Sequence, residues 1–106
     1  MSSQSIASRK LLAVDQSGHE FEVTIAIGLP YEISAIEWAC PVSIDGLERH
    51  LSDAHGIDSW QAMQLAHQLI ARLLGYFIQD GGQLLWIEER QPVLLEELFP
   101  AVALLD

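Results

Sequence analysis

Positive charge is scarce in this sequence. Five Lys+Arg stand against 15 Asp+Glu in 106 residues, a formal net charge of −10. A field of that sign repels nucleic acid, anionic lipid and phosphate-bearing cofactors, and it favours a basic partner. Cysteine occurs once, at Cys40, which excludes an internal disulfide framework and fits a reducing compartment. No apolar run approaches the ~20 residues of a membrane-spanning helix. The polar start Met1-Ser2-Ser3-Gln4-Ser5 leads into Arg9-Lys10 with no apolar stretch of signal-peptide type, so the expected location is cytoplasmic. Internal repeats and low-complexity tracts are also absent.

What remains is apolar. Half of the residues are hydrophobic, 19% are charged, and there are three Trp, so the chain can bury a core and is not of disordered composition. The length suits a single domain, 1–106, with a flexible start at 1–7 and a radius of gyration of roughly 13 Å.

The first part reads as strands. Leu11 to Val14 is a short apolar run, and Asp15-Gln16-Ser17-Gly18 is turn chemistry. Phe21, Val23, Ile25 and Ile27 then alternate with Glu20, Glu22, Thr24 and Ala26, the pattern of a half-buried strand. These two runs predict a hairpin. After Gly28-Leu29-Pro30-Tyr31 a second alternation runs through Ile36, Trp38, Cys40, Val42 and Ile44. Pro41 has no N–H to donate, so this strand lies at an edge or is broken there. Asp45-Gly46 is a turn, and Leu47 to His55 is read as a further strand in preference to a helical turn.

The clearest element begins at Asp58. Asp58-Ser59-Trp60-Gln61 has capping-box spacing, with Gln61 expected to reach back to the cap. Gln61, Gln64, Gln68, Arg72, Gly75 and Gln79 form one narrow polar stripe on an otherwise apolar helix that Asp80-Gly81-Gly82 ends. About twenty residues give roughly 30 Å of helix. Gln83 to Glu88 is expected as a strand. Pro92 is expected to open a short helix, Val93 to Phe99, and Pro100 to close it. The apolar tail Ala101 to Leu105 is expected on the flank of the long helix or in a subunit interface.

The stretch Gly56-Ile57-Asp58-Ser59-Trp60-Gln61-Ala62-Met63-Gln64-Leu65-Ala66 resembles the helix start Gly-x-Asp-Ser-x-Gln-Ala-x-x-Leu-Ala of a family of short bacterial domains of unknown function. The resemblance extends to Leu29-Pro30-Tyr31, Trp38-Ala39-Cys40-Pro41 and Asp45-Gly46-Leu47, and covers most of residues 9–90. It implies an α+β domain made of a sheet and a long helix, and it implies no activity. The chain after Gln91 has no counterpart in the resemblance.

None of the chemically suggestive residues outweighs its ordinary explanation. His50, Asp53 and His55 offer three donors but lack a fourth ligand, and on a strand His50 and Asp53 would face opposite ways. Cys40 is in phase with Trp38 and Val42, as a small buried hydrophobe would be. His67 borders the polar stripe of the helix. Asp58-Ser59 is accounted for by the cap. Gly81-Gly82 follows a helix and is not trailed by Lys-Ser/Thr, so it is no phosphate loop. Glu88-Glu89 and Glu96-Glu97 are adjacent acids, which do not face each other on a helix. No enzyme, cofactor or metal is expected.

One asymmetry stands out. Residues 80–106 carry Asp80, Glu88, Glu89, Glu96, Glu97 and Asp106 against Arg90 alone. These acids would make a rim around Trp86, Leu98 or Phe99, an arrangement that protein interfaces use for steering and anchoring. The candidate partner-binding residues are therefore Asp80, Trp86, Glu88, Glu89, Glu96 and Glu97. The expected fold is α+β, a mostly antiparallel sheet of four to five strands on one long helix with a short C-terminal helix. The expected function is a small acidic inhibitor of a basic protein, such as an immunity protein that masks a nucleic-acid-handling toxin. The alternative is a stand-alone homodimeric or small-molecule-binding module.

Overall fold

Alternation in the first thirty residues produces a long hairpin. In the computed structural model, which describes residues 5–100, β1 (Ser5–Val14) and β2 (Glu20–Gly28) pair antiparallel with Leu11 opposite Val23 and Arg9 opposite Ile25. β1 is longer than its apolar run and takes in residues 5–7. Asp15 closes the turn: its Oδ1 accepts from the backbone N–H of Ser17 at 2.9 Å and of His19 at 3.0 Å. Val23, Ile25 and Ile27 are buried while Glu20 and Glu22 face solvent, as the alternation predicts.

The second alternation is not one strand. β3 (Tyr31–Ser34) and β4 (Glu37–Cys40) form a short hairpin, and β5 (Val42–Asp45) begins after Pro41. Pro41 is where the chain leaves one sheet for another, because a residue without N–H cannot continue a ladder. Its carbonyl accepts from Gly28 N at 2.9 Å, which ties the crossing to the end of β2. The result is two sheets, one in the order β5-β2-β1-β7 and one in the order β3-β4-β6, every pairing antiparallel. The fold class is α+β, with two sheets in place of the single one expected. Of the stretch Leu47 to His55, only Ala54 and His55 are strand, the first two residues of β6 (Ala54–Gly56), and the rest is loop. Its mix of Ser52, Asp53 and three consecutive polar residues at 48–50 has neither strand nor helix period.

α1 spans Ser59–Gln79 and bridges both sheets. Asp58 caps it, accepting from Gln61 N at 2.8 Å, and the Gln61 side chain accepts from Ile57 N at 2.8 Å, one residue before the cap. Ala62, Ala66, Ile70 and Leu74 form its buried seam. The small alanines lie where the helix meets the three-stranded sheet. A Cβ built on Gly56 would stand 2.6 Å from Ala62 N, so β6 and the helix touch backbone to backbone. Towards the other end, Phe77 meets Phe21 of β2 edge-on, with centroids 6.1 Å apart. Gly81, at φ +102, ends the helix: its N–H bonds Ile78 O at 3.0 Å, while Gly82 N bonds Phe77 O at 3.0 Å, a Schellman motif.

The C-terminal part departs from expectation. β7 is only Gln83–Leu85, and residues 86–91 turn back on themselves, with Trp86 N bonding Gln91 O at 2.9 Å and Arg90 in the left-handed region at φ +56. Pro92 does not start a helix. It bridges Leu85, and Val93 N donates to Leu84 O at 2.8 Å, so the returning chain covers the edge of β7. α2 is the single turn Leu95–Leu98. The apolar tail at 101–105 lies outside the described residues. The radius of gyration is 14.8 Å, and the extents of 47 × 45 × 23 Å describe a flat molecule. Two sheets side by side on one helix give breadth without a third layer.

Two outcomes are expected. Gly56→Ala must push β6 off the helix and costs about 1–3 kcal/mol, the range for overpacking, seen as a lower thermal midpoint. Asp58→Ala removes the cap and costs about 1 kcal/mol in the same measurement, whereas Asp58→Asn, which can still accept the bond, costs less.

Candidate protein-binding surface

The polar residues singled out by spacing do not assemble a reactive centre. Asp53 accepts a hydrogen bond from the Tyr31 hydroxyl, and His55 Nδ1 lies 2.8 Å from Glu37 Oε2. Two of the three donors of the histidine segment are thus engaged across the small sheet, and no metal-binding group of three occurs among the described residues. His67 Nδ1 is 2.9 Å from the Met63 carbonyl, so it donates within its own helix. Cys40 is fully buried, its thiol 3.5 Å from the Gly28 carbonyl, and burial pushes its pKa up, away from the thiolate a nucleophile needs. Tyr31 is held above the ordinary tyrosine value, chiefly by its bond to the Asp53 carboxylate.

The acidic rim is only partly as expected. Glu88 and Glu89 lie exposed at the tip of the 86–91 turn, Glu96 and Glu97 lie exposed on α2, and Asp80 is the exposed C-cap of α1. The aromatic anchors are not free. Trp86 is half-buried against the core, and the Arg9 guanidinium carbon sits 4.5 Å from its ring centroid, a cation–π contact across β1. Leu98 and Phe99 are half-buried and pack on the core. They wall a cleft of about 220 Å³ with Ile25, Ile70, Arg9 and His67. Arg90 is turned to Glu20, with 2.7 Å between Nη2 and Oε2.

Beside the rim acids, Leu94 and Ile87 are exposed, but the most exposed apolar side chains are elsewhere. Leu29 is 68% exposed, Ile36 78%, Ile57 64% and Trp60 74%, with Tyr31 and Ile33 close to half exposed. The register gathers most of them at one end of the small sheet. Ser34 faces Glu37 across the hairpin turn that carries Ile36, and Gly56, facing Trp38, leads directly into Ile57 and the first turn of α1. Three acids, Glu32, Glu37 and Asp58, lie at this end, while Asp53 bonds Tyr31 at the opposite end of the sheet, Asp45 is on β5 and Glu48 lies by Tyr76 of α1. Residues 29–60 carry Glu32, Glu37, Asp45, Glu48, Asp53 and Asp58 against Arg49 alone. Asp15, Glu20 and Glu22 are matched in number by Arg9, Lys10 and Arg72, so the whole charge excess is divided between residues 29–60 and 80–106. The same count that exposed the second stretch would have exposed the first. Its apolar residues were hidden because Ile36 fits the phase of a core strand and Trp60 fits an apolar helix.

The fold is that of a small α+β domain with two antiparallel sheets on one long helix. Residues 7–93 match the family described as a domain of unknown function, DUF6968, and the chain belongs to that family. No curated protein and no solved structure matches it. No helix among the described residues is long and apolar enough to cross a membrane.

The Tyr31 bond has a measurable consequence. In a Tyr76→Phe background, the phenolate absorbance of Tyr31 titrates above pH 10, and Asp53→Asn moves the midpoint back down. The folded state holds the neutral phenol, so the associated stability is complete below the unfolded pKa and is lost as pH rises through the raised one.

Proposed function

We propose that the protein is a small acidic inhibitor that binds another protein and masks its basic surface, in the manner of an immunity protein neutralising a bacterial toxin in the cytoplasm. It acts by binding and not by catalysis. The observation that carries this reading is the coincidence of bulky exposed apolar side chains with an acid-rich stretch: Ile36, Ile57 and Trp60 lie in the segment where six acids meet one arginine. Apolar centres with charged surrounds give protein contacts their affinity and their approach rate. A monomer that exposes isolated apolar residues is ordinary, but several at one end of one sheet fit an interaction surface. The acidic residues at Asp80, Glu88, Glu89, Glu96 and Glu97 extend the same field over a second face.

A second reading is favoured by one feature. The cleft of about 220 Å³ between α1, α2 and β1 has apolar walls with Arg9, His67 and Glu97 among its lining, a composition suited to a small amphipathic ligand.

Affinity co-purification from the host organism at low salt, with bound proteins identified by mass, tests the inhibitor. The expected result is a stoichiometric basic protein that is toxic when produced alone. Its purified complex should weaken about tenfold or more between 50 and 300 mM salt. Affinity that ignores salt would count against charge masking, and a protein recovered alone would move the search to small ligands of the cleft.

A further inference from the structure

The small sheet ends in a surface that the acidic C-terminal rim does not include. Ile36 lies on the β3–β4 turn, Ile33 at the irregular step in the register between Glu32 and Ser34, and Ile57 and Trp60 at the approach to and first turn of α1. All four are exposed, Trp60 and Ile36 to about three quarters. Glu32, Glu37 and Asp58 flank them, with Arg49 the only Lys or Arg between residues 29 and 60. Glu37 is paired with His55 and Asp58 caps the helix, so both carboxylates are held in place and not left to fold over the apolar residues. β3 is the outer strand of its sheet, and among the described residues nothing pairs on its free edge.

We propose that this end of the small sheet is the primary docking surface, with Trp60 as its anchor. Its occupant is an apolar patch ringed by Lys and Arg on the partner protein. The assignment rests on the inhibitor reading above and names the face that performs it. Charge decides the occupant. A second copy would bring the same three acids face to face and set −10 against −10. Anionic lipid and nucleic acid meet the same repulsion. A basic protein alone gains from both the apolar centre and its surround. Trp86 cannot serve as the anchor, because Arg9 already covers its ring and its body packs on the core.

The test uses the full chain and the purified basic protein recovered by co-purification. Trp60→Ser and Ile36→Ser replace exposed side chains, and unchanged thermal midpoints show that both variants fold. Trp60→Ser is expected to weaken binding by about 30-fold or more, the scale of an interface hot spot. Ile36→Ser should weaken it by a smaller factor. Tyr76→Ser serves as the control, an exposed aromatic on the same helix about 24 Å further along. It should change affinity by less than about threefold. If Trp60→Ser binds normally while Glu88→Gln with Glu89→Gln does not, the C-terminal rim is the docking face and the proposal falls, although the inhibitor reading stands. If no basic protein is recovered, or if the chain instead self-associates in a Trp60-dependent way during sedimentation, both fall.

Discussion

Much of this molecule depends on how closely the backbone of β6 approaches the first turns of α1. At Gly56 no side chain fits, because the helix backbone at Gln61 and Ala62 already occupies that space. Ala62 and Ala66 keep the facing side of the helix low. This contact fixes where the helix begins relative to the small sheet, and the Asp58 cap and the Gln61 bond to Ile57 hold the same turn from the other side. The helix then runs on past the small sheet. Its larger residues Ile70, Leu74 and Phe77 can pack on the four-stranded sheet, where Leu11, Val23 and Ile44 provide a deeper floor. One helix thus serves two sheets because its buried side changes from small to large along its length.

Pro41 is the complement of that arrangement. A chain that stayed in one ladder through Trp38, Cys40, Val42 and Ile44 would form a single sheet, and the helix would cover only part of it. The missing N–H breaks the ladder while the side-chain phase is kept, so Cys40 and Val42 remain buried on either side of the break. The price is a broad, thin molecule with ends that no third layer covers. One of those ends, the β3–β4 turn with the start of α1, carries Ile36 and Trp60, the two most exposed large apolar side chains among the described residues, and residues 29–60, to which they belong, hold half of the net negative charge. The other half lies in the C-terminal stretch, where the anchoring aromatics are already taken up by the fold. Structure and charge together therefore distinguish two acid-rich stretches that differ in what they offer a partner.

Much of the architecture is legible in the residues themselves. The β1–β2 hairpin follows from strict alternation with a turn of Asp, Ser and Gly, and the bounds of α1 follow from Asp58 at one end and Gly81 at the other. These are local effects: a cap or a left-handed glycine acts within one turn of its own position. The family assignment is also a property of the sequence, and the long helix and α+β class implied by the resemblance are present. The segments that resisted reading are those whose conformation is set by distant partners. Residues 86–93 look like a strand followed by a helix start, yet they turn back because Val93 can pair with Leu84 and Arg90 can reach Glu20. Residues 47–53 have no period of their own.

The site divides in the same way. Charge needs no coordinates, since carboxylates at Glu32, Glu37 and Asp58 count as acids wherever they lie. The sequence by itself therefore determined the sign of the field, the absence of a disulfide, the long capped helix and the hairpin. Exposure was decided only by the tertiary structure. Trp60 stands between Ser59 and Gln61 at the start of a largely apolar helix, and Trp86 follows Leu84-Leu85, yet neither setting says which ring another part of the chain will cover. Folding packs Trp86 on the core with Arg9 of β1 over its ring and leaves Trp60 exposed on the first helical turn. The physical reason is that burial depends on which surface arrives to cover a residue, and that surface comes from elsewhere in the chain.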